Sequence, residues 1–322
     1  MWAQLLVGPG QFELVEVAAP TVEDLRDGEV LLRTLATGIC GSDLPRFRGV
    51  VAAAGDSPAS RYADRVGQPL HEIVGEVLAS RHRDVVVGTR VVGWANGFDA
   101  LREFVVTRGD EVNTYAPDLA PTTAVLLQPL ACVLYVLDRL TGVAGARVAV
   151  LGLGPIGVLF THALRAAGAR HVVGVDPVDR ADIASRFGID EVAAVDSARW
   201  AGALSDADRP TILIECVGHQ DATLRDAVQA IAFGGTIYYF GLPDEPEYPF
   251  PLRAFLRKNL TFMSGGTMQR RRMLRAADDY LRAHPRLAEH YMTDVYPATQ
   301  AQAAFEVASL PRPGRLKVAL TA

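Results

Sequence analysis

The stretch Arg147-Val-Ala-Val-Leu-Gly-Leu-Gly-Pro-Ile-Gly157, running on through Val158 to Gly168, leaves a chain few folds to choose from. Residues 148–151 are a short apolar run rich in β-branched side chains, as suits a strand buried on both faces. Three glycines spaced G-x-G-x-x-G follow, and then a segment with helical period. In this pattern Gly152 permits a tight turn, Gly154 lets backbone amides approach an anion, and Gly157 lets the helix pack on the strand. Pro155 and Ile156 open that helix, whose N-terminus turns free N–H groups toward a pyrophosphate. A second apolar run, His171-Val-Val-Gly-Val, ends in Asp176 about twenty residues on, where a carboxylate would hold a ribose diol. The combination predicts a dinucleotide site on a β-α-β unit.

Asp176 also selects the dinucleotide. A carboxylate there accepts hydrogen bonds from the 2′- and 3′-hydroxyls and repels a 2′-phosphate. Pro177 and Val178 supply no cation to offset it, and Arg180 reads as a solvated residue at a helix start. NAD(H) is therefore expected rather than NADP(H).

Around this unit the chain divides by pattern. Residues 5–7, 12–17, 30–37, 73–79, 90–93 and 104–107 read as short strands punctuated by Gly and Pro, an all-β module. From Pro121 the period becomes helical over 122–140, with Pro129 expected to kink or divide the helix. Alternating strands and helices then run to about residue 240, which implies a parallel sheet wound on both faces. A basic amphipathic helix over 270–282 follows, and a strand over 315–320 returns to the first module. Residues 236–240 and 259–264 read as an exposed sheet edge suited to subunit pairing, so a homodimer or homotetramer is expected. Tyr238 and Tyr239 read as packing residues, as do Cys132 and Cys216.

A length of 322 residues suits two domains, and a net charge of −5 gives no electrostatic footprint for nucleic acid. Arg270-Arg271-Arg272 has no aromatic platform beside it and reads as a solvated helix face. No run is long and apolar enough for a bilayer, and the start lacks a signal-peptide pattern. Three cysteines make no disulfide framework, so cytoplasmic residence is expected. Lysine is confined to Lys258 and Lys317 among many arginines, which reads as compositional bias.

Chemistry-bearing residues gather in the first module. Gly38-Ile-Cys-Gly-Ser-Asp43 and Pro69-Leu-His-Glu-Ile-Val-Gly-Glu76 place a thiolate and an imidazole beside carboxylates and a hydroxyl. Cys40 and His71 suit zinc. A small buried cysteine and a structural histidine fit the spacing equally well.

These two motifs, followed by Gly88-Thr-Arg-Val-Val92, Gln128-Pro-Leu-Ala131 and Gly152-Leu-Gly-Pro-Ile-Gly157, resemble the ordered motifs of the zinc-dependent medium-chain alcohol dehydrogenases, nearest the sorbitol, threonine and glucose dehydrogenase branch. The resemblance covers essentially the whole chain. It implies an α/β protein with a GroES-like, β-rich catalytic domain (1–121 and 266–322) split around a doubly wound Rossmann NAD-binding domain (122–265), the active site lying in the cleft between them. By the same resemblance Cys40 and His71 are catalytic zinc ligands, Glu72 is the glutamate beside the metal, Ser42 bonds the substrate hydroxyl, and Asp43 orients the histidine. Gln128 stands where the family commonly carries a metal-binding glutamate, which leaves the third ligand open between Glu72 and Gln128. Val217, Gly218, Gly241, Leu242 and Gly265 fall along the nicotinamide half.

Two further departures follow. Gly93-Trp-Ala-Asn-Gly-Phe-Asp-Ala100 contains no cysteine, so the structural zinc lobe of many relatives is excluded. Pro45 replaces a histidine that often ends the proton path. The implied activity is an NAD-dependent interconversion of a secondary alcohol and a ketone by zinc-assisted hydride transfer, leaning toward polyols, sugars or cyclitols. Arg46 or Arg48, just after the metal loop, is expected to meet an anionic group. The competing expectations are a zinc-independent reductase of an activated alkene, imine or quinone, and a non-catalytic dinucleotide-binding sensor. Comparing Michaelis constants for the two cofactors checks the assignment of Asp176: a lower value for NAD is expected, and a clear preference for NADP contradicts it.

Overall fold

The computed structural model describes residues 1–50 and 65–322, and the chain resolves into two compact units. The first comprises Met1–Cys132, Met268–Leu310 and Arg315–Ala322; the second comprises Val133–Thr267 and Pro311–Gly314. In chain order the first unit begins with β1 (Trp2–Gly8) and β2 (Gln11–Glu16), which pair with each other as a two-stranded sheet. β3 (Glu29–Gly38), α1 (Leu44–Phe47), β4 (Glu72–Ser80), β5 (Arg90–Trp94), β6 (Phe104–Arg108) and β7 (Val112–Thr114) follow. Then come α2 (Pro121–Ala124) and α3 (Leu127–Leu137). The helix breaks at 125–126, upstream of Pro129, which sits in the first turn of α3 where its missing N–H leaves no bond unmade.

The second unit carries β8 (Arg147–Leu151), α4 (Pro155–Ala166), β9 (His171–Val175), β10 (Glu191–Ala193), α5 (Ser197–Ala203), β11 (Ile212–Glu215), α6 (Ala222–Ala230), β12 (Thr236–Tyr239), α7 (Leu252–Arg257) and β13 (Thr261–Ser264). Its six strands are all parallel, as the alternating pattern predicts, and they lie in the order β10-β9-β8-β11-β12-β13, that of a doubly wound sheet. Every residue of β8 after Arg147 is buried, as its unbroken apolar run requires. The expected edge is corrected here: β12 is internal, with Tyr238 fully buried, and β13 alone forms the edge on that side. Between β9 and β10 the alternating pattern calls for a helix, and only a 3-10 turn forms there, Ala184–Phe187, ended by Gly188 at a φ of +69°.

The remainder of the first unit is α8 (Arg270–Ala283), α9 (Arg286–Tyr291), β14 (Met292–Pro297), α10 (Ala301–Ala308) and β15 (Lys317–Thr321). β15 lies between β14 and β3 in a seven-stranded mixed sheet, order β14-β15-β3-β4-β5-β7 with β6 also on β3. This core is closed by Phe12, Phe47 and Phe305, whose rings are 4.8–5.5 Å apart. No helix among the described residues is long and apolar enough to cross a membrane.

Gly157 is where the glycine pattern meets its tightest physical limit. A Cβ built there would drive into the Gly152 carbonyl oxygen, a backbone atom with no freedom to retreat. Gly157→Ala should therefore destabilise the protein by about 1–3 kcal/mol, read from the midpoint of urea unfolding. Gly154→Ala, which meets nothing within 4 Å, should not.

Candidate functional site

β3 ends at Gly38 directly opposite Glu72, the first residue of β4, so the two sequence motifs are joined by strand register. The turn after β3 is a 3-10 segment, Gly41–Asp43, preceded by Cys40, whose N–H donates to Asp43 Oδ2 at 2.8 Å. The other oxygen of the same buried carboxylate lies 3.1 Å from His71 Nδ1. A carboxylate can only accept, so Nδ1 carries a proton toward Asp43 and Nε2 is the ring nitrogen left for another partner. Burial opposes charging of His71, but the charge and hydrogen bond of Asp43, helped by Cys40, outweigh it and hold the imidazole well above its ordinary pKa. Ligand atoms of Cys40, His71 and Glu72 lie within 4.8 Å of one another, the only such group of three among the described residues.

Glu72 is fully buried, and its carboxylate is split between two environments. Oε1 accepts from the Lys317 ammonium at 2.5 Å, while Oε2 has no hydrogen-bond partner. Lys317 opens β15 and is equally buried. Gly38 makes room for both: a Cβ there would collide with Glu72 Oε2, with Val125 and with Lys317. Tyr291, at the end of α9, is fully buried with an unpartnered hydroxyl. Burial and then the negative charges of Glu72, Cys40 and Cys132 push its phenol far above the usual value. Gln128 is buried on α3, its amide turned 3.8 Å from Cys132 Sγ. Ser42 is half-buried in the 3-10 turn.

In the second unit Gly152 has a φ of +87°, and α4 starts with Pro155 and Ile156 directly after Gly154. Asp176 is clamped at the end of β9, Oδ2 taking the N–H of Leu153 at 2.7 Å and Oδ1 that of Val178 at 2.8 Å. The ribose-type carboxylate is thus bonded into the glycine turn itself. Arg180 corrects an expectation: it is buried, with Nη1 2.9 Å from the Arg312 carbonyl, and burial lowers its pKa against the opposing pull of Asp176 and Asp182. At the next strand end the fully buried Glu215 carboxylate accepts from the N–H groups of Val217 and Gly218 at 3.0 Å and from Thr223 Oγ1 at 2.8 Å. Burial raises its pKa, and these donors counter the rise. Gly218 and Gly241 touch backbone to backbone, and His219 N donates to Leu242 O at 2.9 Å. Gly265, at a φ of +146°, lies against Arg139.

Two family models match. Residues 26–113 fit the alcohol dehydrogenase GroES-like domain, and residues 155–282 fit the zinc-binding dehydrogenase domain. The chain belongs to the zinc-binding medium-chain dehydrogenase family. An erythritol/L-threitol dehydrogenase of Mycolicibacterium smegmatis is 28% identical over 260 residues, covering 69% of this chain and 71% of that protein. A sorbitol dehydrogenase of Bacillus subtilis is 23% identical over 326 residues, covering 91% and 90%. The alcohol dehydrogenase TADH from Thermus sp. ATN1 superposes with a TM-score of 0.80 at 24% identity over the whole of both chains, which establishes a shared fold.

Within this medium-chain dehydrogenase, motif reading missed Lys317, Gly38, Tyr291 and Glu215. Lys317 had one visible signal, its survival as one of two lysines in an arginine-rich chain. Cys132 and Cys216 prove half-buried rather than core. The Arg270–Arg272 run is spent internally, Arg270 on Glu111 and Trp94, Arg271 on Asp84 and Arg272 on Gln269.

Lys317→Met strands the Glu72 charge in a fully buried position, an effect of about 3–5 kcal/mol. Urea unfolding of the chelator-treated protein should register that loss. Adding Glu72→Gln should recover a large part of it, and additive losses would contradict the pairing.

Proposed function

We propose that the protein is an NAD-dependent dehydrogenase interconverting a secondary alcohol of polyol, sugar or cyclitol type and its ketone, with one zinc ion held by Cys40, His71 and Glu72. The reading is carried by the convergence of those three donors within 4.8 Å. Thiolate, imidazole and carboxylate together form a donor set suited to zinc, and the unpartnered Oε2 of Glu72 is an oxygen that lacks any protein donor. Zinc, when bound there, supplies a Lewis acid that eases ionisation of an alcohol. Gln128 is the further neutral donor, its amide lying one helical turn from Cys132.

The remaining chemistry belongs to the chain. Asp43 fixes His71 so that Nε2 is presented, and Lys317 fixes Glu72 so that Oε2 is presented. Cys40 thiolate, neutral His71 and Glu72 carboxylate balance a divalent ion, and Lys317 restores one positive charge. That surplus favours the ionised form of a substrate hydroxyl. Ser42 Oγ accepts the hydroxyl proton, and Pro45 cannot relay it onward, so the proton leaves by water or cofactor hydroxyls. NAD, when bound, supplies the hydride acceptor at nicotinamide C4. When NAD is bound, the Asp176 carboxylate would hold its adenosine ribose. At the start of α4, where Pro155 has no N–H to give, the backbone N–H groups of Ile156 and Gly157 would be the donors to its pyrophosphate. Val217, Gly218, Gly241, Leu242 and Gly265 border the nicotinamide half.

Similarity to erythritol/L-threitol and sorbitol dehydrogenases supports a polyol substrate. The catalytic domain is drawn from 1–121 and 266–322, the nucleotide domain from 122–265. The edge strand β13, exposed at Thr261, Phe262 and Ser264, suits pairing into a homodimer or homotetramer.

The test combines metal quantification with an NAD-reduction screen over polyols, cyclitols and simple alcohols. We expect one zinc per chain, chelator-sensitive oxidation of a polyol, and a loss of roughly 100-fold or more in Cys40→Ala. Chelator-insensitive reduction of an alkene, imine or quinone, or cofactor binding with no turnover, contradicts the reading.

A further inference from the structure

We propose that Arg46 recognises a negatively charged end group, a terminal phosphate or carboxylate, so that the substrate is an acidic polyol; this rests on the alcohol-oxidising reading of the site above. The guanidinium of Arg46 lies over the ring of Phe98, 5.0 Å from its centroid, and the same ring packs 5.6 Å from the imidazole of His71. Those separations keep the guanidinium within about 11 Å of the metal-ligand imidazole, the span of an extended polyol chain. The ring is held in place through the backbone. Phe98 N donates to Ala95 O at 3.0 Å, and Ala95 N donates to His71 O at 2.8 Å. Phe98 takes a φ of +55°, a left-handed conformation that a bulky side chain rarely adopts, and it stays 43% exposed. An exposed aromatic ring in a strained conformation beside a candidate metal ligand is poorly explained by packing alone.

The cation itself is uncommitted. Among the described residues no carboxylate pairs with Arg46, and stacking on Phe98 uses the face of the guanidinium, leaving its in-plane N–H donors free. Those donors form the planar fork that matches carboxylate or phosphate oxygens two at a time. The nearby anions are already engaged, Asp43 by Cys40 and His71 and Glu72 by Lys317. Arg48, the other candidate, caps the C-terminus of α1 and is spent on the Ser309 carbonyl at 2.9 Å. Pro45, in the first turn of α1, directly precedes Arg46.

Matched substrates test this directly: erythritol against erythritol 4-phosphate, ribitol against ribitol 5-phosphate and ribonate, and sorbitol against sorbitol 6-phosphate and gluconate. At least one acidic member should exceed its neutral partner in kcat/KM by about 10- to 100-fold, as a charge-assisted hydrogen bond allows. Phosphate and carboxylate arms then separate the two end groups. Arg46→Met, which keeps an apolar cover on Phe98, should erase the ratio chiefly through KM, and Arg46→Lys should keep part of it. Arg48→Met should leave the ratio in place. An equal kcat/KM for both members of every pair, or an acid preference that survives Arg46→Met, overturns the assignment while leaving the polyol reading intact. Absence of turnover with every member overturns the polyol reading and this assignment with it.

Discussion

The buried contact between Lys317 and Glu72 is the interaction on which the first unit's geometry turns. It joins residues 245 apart in sequence, so the C-terminal strand must be in place before the residue at the head of β4 has its counter-charge. Removing two charges from water is costly, and a buried ion pair is seldom the most stable way to fill a core. Its effect here is orientation. One carboxylate oxygen is committed to the ammonium, and the other, packed against Gly38, has no hydrogen-bond partner. Gly38 is the steric condition for this arrangement, since any side chain at that position would occupy the volume of Glu72 and Lys317.

The second unit repeats the device with different partners. Asp176 and Glu215 are carboxylates at the ends of β9 and β11, and each is stabilised by backbone N–H groups of the turn it controls. A carboxylate that accepts several such bonds fixes loop geometry without an opposing cation. Asp176 thereby ties the end of β9 to the glycine turn. Glu215 couples the loop carrying Val217 and Gly218 to Thr223, while Gly218 meets Gly241 backbone to backbone.

What the sequence revealed and what it hid divide along physical lines. Glycine spacing, strand period and the Asp176 offset are local, and the parallel sheet, α4 and the returning β15 follow from them. Cys40, His71, Glu72 and Asp43 were legible through their motifs, and strand register brings the two motifs together. Lys317 was read as composition because nothing near it in sequence calls for a buried ammonium. Arg180 was read as solvated because its acceptor, the Arg312 carbonyl, lies 132 residues away. The helical segment after Asp176 is reduced to a 3-10 turn that ends at Gly188 in the left-handed conformation.

The central claim is that the Cys40 thiolate and the His71 imidazole grip one cation together with Glu72. Cobalt(II) reconstitution of the chelator-treated protein tests it most directly, because a thiolate bound to cobalt gives a near-ultraviolet charge-transfer band whether or not the enzyme turns over. The account predicts one cobalt per chain with that band, its loss in Cys40→Ser, and a changed visible spectrum in Glu72→Gln. A band that persists in Cys40→Ser, or a protein that takes up no cobalt at all, would contradict it.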